Sequence, residues 1–140
     1  MASAREKERL LGAFSEWAKT RRLSAHRHDA QFRGLVRETP VEVETGIRAS
    51  DLYAVVATIY FACGLGTKVV RDAPGEPDDA PTVARLRSVL RRPSVLALRL
   101  DEDTITLRMR PGTTPEEVGD ALDEALAAAR SPGEERGPYR

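Results

Sequence analysis

Apolar positions fall into a helix-like stripe at the start of the chain, an uncharged run in the middle, and alternating runs before a second helical stripe near the end. Residues 3–22 read as an amphipathic helix. Leu10, Phe14 and Trp17 recur at i, i+4 and i+7, and Leu11 and Ala18 widen the stripe. Ser3 and Glu6 stand at capping-box spacing, and Arg5/Glu8 and Glu16/Lys19 lie three apart on the polar side. Segments 31–37 and 41–47 read as strands around a turn at Glu38-Thr39-Pro40, with Val41, Val43 and Thr45 alternating with Glu42 and Glu44. A helix over 26–37 is the competing reading of the first segment.

The stretch 52–66 carries no charge and is expected to form a central apolar helix. Ser50 and Asp51 suit its positive end, and Gly64 and Gly66 suit its stop. It is shorter than the roughly 20 apolar residues of a membrane span, and Lys68 and Arg71 follow closely. The helix is therefore expected inside the molecule, with Leu52, Val55, Val56, Ile59 and Phe61 among the most buried residues.

Residues 67–71 read as a short strand, and 72–81, with three prolines, one glycine and four acids, as a connecting loop. Thr82 caps a short helix reaching 92, with Val83, Leu86 and Leu90 on one face and Pro93 beyond its end. Segments 95–100 and 104–110 flank Asp101-Glu102-Asp103 and predict a hairpin. Leu96, Leu98 and Leu100 share one face with Ile105, Leu107 and Met109, while Arg99, Arg108 and Arg110 take the other. Thr114, Pro115 and Glu117 then supply cap, first-turn proline and N3 glutamate for a last helix. Its stripe is Val118, Leu122, Ala125, Leu126 and Ala129, and Ser131-Pro132-Gly133 stops it.

The expected architecture is α+β: an antiparallel sheet with an N-terminal amphipathic helix, a central apolar helix and a C-terminal β-hairpin plus helix. One compact domain is expected over 1–130, followed by a disordered polar tail at 131–140. In element order alone this outline resembles the small helix–sheet–helix chaperones that dock secreted or regulatory partners. No motif carries the resemblance to a particular family.

A length of 140 residues suits one domain, and 31% charged with 41% hydrophobic residues excludes a fully disordered chain. The 22 basic and 22 acidic residues balance, so there is no bulk attraction to nucleic acid or acidic lipid. Arginine outnumbers lysine 19 to 3, which reads as the codon bias of a GC-rich genome. The single cysteine, Cys63, excludes an internal disulfide and any Cys-rich zinc site. A lone thiol, and a start without a basic-then-apolar leader, fit a cytoplasmic setting.

Candidate chemistry is sparse. The run Cys-Gly-Leu-Gly-Thr-Lys at 63–68 fails the phosphate-loop spacing, because Phe61 stands where a glycine is needed and the Thr-Lys order is reversed. His26 and His28 would share a face of a strand, but no third ligand stands at a characteristic spacing. Cys63 reads as a small hydrophobe. No catalytic residue, cofactor or metal site is assigned. Seven arginines between 85 and 110 face three acids. A nucleic-acid interface built from Arg85, Arg99, Arg108 and Arg110 is therefore one alternative, although no aromatic for base stacking occurs between Phe61 and Tyr139. A small enzyme whose site is not visible as a motif is a second alternative. The leading expectation is a non-catalytic protein-binding module, whether adaptor, chaperone or regulatory subunit, acting through an apolar helix surface. Leu10, Phe14 and Trp17 would meet another protein or, in a homodimer, a second copy of the chain, with no membrane partner. The competing reading has the same stripe closing the domain's own core.

Overall fold

The computed structural model describes residues 4–26, 30–47, 52–64, 66–71 and 81–130. Ser3, His28, Ser50, Asp51, the 72–80 segment and the expected tail at 131–140 lie outside the described residues, as does the side chain of His26. The elements run α1 (Ala4–Thr20), β1 (Ser24–His26), β2 (Gln31–Val36), β3 (Thr39–Glu44), β4 (Val55–Ile59), β5 (Lys68–Val70), α2 (Pro81–Arg87), a 3-10 turn (Ser88–Arg91), β6 (Val95–Leu100), β7 (Ile105–Met109) and α3 (Pro115–Ala129). The class is α+β. The strands form one antiparallel sheet in the order β1-β2-β3-β4-β7-β6-β5.

The central apolar helix expected over 52–66 is not formed; the segment supplies β4. Four of the five residues of β4 are β-branched, which stiffens χ1 and suits a pleated surface. Burial alternates along it: Val55, Ala57 and Ile59 are fully buried, while Val56 and Thr58 are half-buried on the opposite side. Leu52 and Phe61 are half-buried as well. The run lacks charge because β4 occupies the middle of the sheet, where strands on both sides screen even its outer face. Gly64 and Gly66 take positive φ in the chain leaving β4 rather than ending a helix.

A row of core side chains follows the strand register: Phe32, Val43, Ala57, Leu107, Leu98 and Val70. These join Phe14, Trp17, Val83, Leu86, Val118, Leu122 and Leu126 in a single buried cluster, which places all three helices on one side of the sheet. α3 begins as its sequence predicts, with the Thr114 hydroxyl accepting from Glu117 N and Pro115 in the first turn. The Glu117 side chain does not complete the capping box. It accepts instead from Arg92 (3.1 Å) and Ser94 (2.7 Å).

Local departures from the sequence reading have local causes. The β2–β3 turn falls at Arg37-Glu38, since Val36 pairs with Thr39, so Thr39 and Pro40 belong to β3. A register shift between Val95 and Ala97 turns Leu96 outward, away from Leu98 and Leu100. The short helix after 81 tightens to a 3-10 turn, which buries Val89 and leaves Leu90 half-exposed. At Gly46 (φ +73) a Cβ would lie 2.4 Å from the carbonyl oxygens of Tyr53 and Ala54, so only glycine lets the chain leaving β3 cross the approach to β4.

Candidate functional site

Phe14 and Trp17 are turned inward. The Phe14 ring is fully buried, stacked on Phe32 (centroids 6.2 Å apart) and nearly perpendicular to Trp17 (centroids 6.1 Å apart). Trp17 reaches α3 at Gly119, where an added Cβ would sit 3.0 Å from the indole nitrogen. Arg21 covers the Trp17 ring at 5.7 Å and forks onto both carboxylate oxygens of Asp123 at 3.2 Å. This clasp joins α1 to α3. The stripe expected to meet a partner therefore closes the chain's own core, and Leu10 alone of the three stays near the surface. Leu10 lines a groove of about 330 Å³ with Arg9, Ala13, Leu52 and Pro115.

The arginines of the nucleic-acid alternative do not converge. Arg85 lies in the helix layer, donating to Ala128 O and Thr82 Oγ1, each at 3.1 Å. Arg110 donates to Pro93 O at 2.7 Å, beside the start of β6. Arg99 pairs with Asp101 at 3.2 Å. Arg99 and Arg108 are on the sheet face away from the helices. Arg92, which the sequence did not single out, is engaged by two carboxylates. Its guanidinium bridges Glu124 (2.5 Å) and Glu117 (3.1 Å), and those bonds, with the Glu124 bond foremost, raise its pKa against the effect of burial. Ser88 also donates to Glu124, so this cluster braces the 3-10 turn against α3.

Among the described residues, no helix packs on the other face of the sheet. One row across it reads Arg33, Glu42, Thr58, Thr106, Arg99 and Val69. The next reads Gln31, Glu44, Val56, Arg108 and Ala97. Apart from Gln31, none of these residues is buried, and Leu35, Tyr60 and Val69 each expose close to half of their surface or more. The middle is small and β-branched. Acids sit toward β3 and arginines toward β6 and β7, with Arg33 beyond the acids on β2. Glu42 is a hub: it accepts from Tyr60 Oη at 3.0 Å and from Gln31 Nε2, and pairs with Arg33 at 3.6 Å. Partial burial of the phenol, then the bond to Glu42 and its charge, raise the Tyr60 pKa, with Arg33 opposing.

Among the described residues no three His, Cys, Asp or Glu side chains come together as metal ligands would, and no helix is long and apolar enough to cross a membrane. Cys63 is half-exposed and packs against the core. No family model, curated protein or solved structure matches the chain. The uncovered face was missed from sequence because its middle strand was read as a helix. The signal was present in the alternation of Val56 and Thr58 with Val55, Ala57 and Ile59.

Proposed function

We propose that the chain is a protein-binding module (an adaptor, chaperone or regulatory subunit) that meets a protein partner through the face of its sheet on which, among the described residues, no helix packs. One observation carries this reading. Among the described residues all three helices lie on one side, and seven strands present their other side with small residues centrally and large apolar ones near its margins. A surface with separated acidic and basic zones suits a partner of mixed charge, because opposed zones fix orientation and reject wrong partners. The acids Glu42 and Glu44 on the same face work against a polyanion. The test places a photo-crosslinking residue at Thr58 or Thr106, and in parallel at Glu16 on the exposed side of α1, in cells that make the chain. Protein adducts from the sheet positions and none from Glu16 are expected. Equal labelling from both sides would overturn the reading, and nucleic-acid adducts from Thr106 would favour the arginine interface instead.

A further inference from the structure

On that reading, we propose that the partner seats an amphipathic helix on the sheet face, lying along β4 with a basic flank over β3 and an acidic flank over β7 and β6. The argument rests on the charged positions about β4. In one row Glu44 and Arg108 stand on either side of Val56. In the next, Glu42 stands beside Thr58, and Arg99 lies beyond Thr106. Glu42 already pairs with Arg33, and Arg99 with Asp101. Neither Glu44 nor Arg108 has an ion-pair partner among the described residues. Two walls of opposite sign therefore border a floor of short side chains, Val56, Thr58 and Thr106.

The width of this trough selects the occupant. Neighbouring strands are about 4.8 Å apart, so the walls stand two spacings apart at Val56 and three at Thr58, roughly 10 and 14 Å. An α-helix with its side chains is about 10–12 Å across and fits between them. An extended strand alternates its side chains between two opposite faces, so it cannot offer an apolar underside and two flanks of opposite charge at once. Adjacent strands rotate by about 20–25°, so a rigid rod keeps contact along one strand and loses it across several. The helix therefore follows β4. Its underside is apolar at i, i+3, i+4 and i+7, against Val56 and Thr58. Lysine or arginine lines the flank toward Glu42 and Glu44, and aspartate or glutamate the flank toward Arg108 and Arg99. The helices of the chain itself lie on the opposite side among the described residues, so docking gives the sheet a helical layer on each face.

A synthetic helical peptide of about 18 residues, long enough to hold its helix, tests the proposal. It carries leucines on the underside, lysines on one flank and glutamates on the other. Two control peptides keep the leucines and carry lysine, or glutamate, on both flanks. Fluorescence anisotropy follows binding to the full chain as wild type, Glu44→Lys, Arg108→Glu and Glu16→Lys, each checked for folding by circular dichroism. Wild type is expected to bind the two-signed peptide about tenfold more tightly than either control. Glu44→Lys and Arg108→Glu should each weaken that binding about tenfold. Glu16→Lys changes the net charge as Glu44→Lys does, but on the exposed side of α1, and should leave binding unchanged. Arg108 is exposed, so Arg108→Glu keeps the test decisive should Glu44→Lys fail to fold. No binding, equal binding of the three peptides, indifference to both reversals, or an equal loss from Glu16→Lys would each overturn the proposal. If it is overturned while the Thr58 and Thr106 crosslinks in cells contain a protein, the binding-module reading stands and the helical partner alone is refuted. If those crosslinks contain no protein, the module reading itself falls.

Discussion

Tyr60 shows how one side chain registers the character of the sheet face. Its ring is close to half exposed, yet its hydroxyl is held by Glu42, a carboxylate already shared with Arg33 and Gln31. Partial burial disfavours the phenolate, and ionising it would also place a second negative charge beside Glu42, so the neutral form is favoured in the folded state. The sign follows from linkage. A group whose folded pKa is raised contributes stability below its unfolded value, ordinarily 10, and loses it as pH climbs through the folded value. In an alkaline absorbance titration, the component that Tyr60→Phe removes should therefore have its midpoint above pH 10. Glu42→Gln should move that midpoint downward. A midpoint unmoved by Glu42→Gln would mean that the hydrogen bond does not hold the proton.

The hairpin of β2 and β3 illustrates strain held in place by a neighbouring element. Arg37 (φ 51) and Glu38 (φ 67) are both left-handed, the geometry a two-residue turn needs but one that costs a residue with a Cβ roughly 1–2 kcal/mol. Arg130, just past α3, donates to the Arg37 carbonyl at 2.6 Å and to Thr39 Oγ1 at 2.9 Å, pinning the turn to the helix layer. Replacing Arg37-Glu38 by Asn-Gly keeps the carbonyl that Arg130 needs and relieves both conformations. A gain of about 1–2 kcal/mol is expected, seen as a melting point higher by several degrees; a lower melting point would show that these side chains stabilise the turn. The sequence showed this turn only one residue out of place, because Pro40 drew attention to itself although an extended strand position accepts its fixed φ. Elements with two independent signals were legible: α3 from its cap and stripe, and the β6–β7 hairpin from alternation and an acidic turn. Segment 52–66 offered a single signal, absence of charge, which a buried helix and a central strand share. The α1 stripe was legible as a stripe, but whether it faced inside or outside depended on Gly119 and Asp123, about a hundred residues away along the chain.

At the scale of the molecule, asymmetry between the two sides of the sheet should be measurable on adjacent residues of β4. Ile59 is fully buried against the helices, whereas Thr58 faces away from them. Ile59→Asp leaves a charge without a partner in the core and should cost roughly 3–5 kcal/mol, enough to unfold much of the population. Thr58→Lys, next to Glu42, should change stability by less than about 1 kcal/mol. Similar losses at both positions, followed by chemical denaturation, would contradict a sheet covered on one side only. The strand order has a separate consequence for the sequence of events during synthesis. β4 and β5 are successive strands, yet the β6–β7 hairpin lies between them in the sheet. While residues beyond 71 are still unmade, one edge of β4 has no native neighbour. That edge is longer than the three-residue strands β1 and β5 that finally border the sheet. The nearest competitor for it is β5, and direct β4–β5 pairing would shut the hairpin out, so completion of the sheet waits on residues 95–109 and depends on that premature closure being reversible.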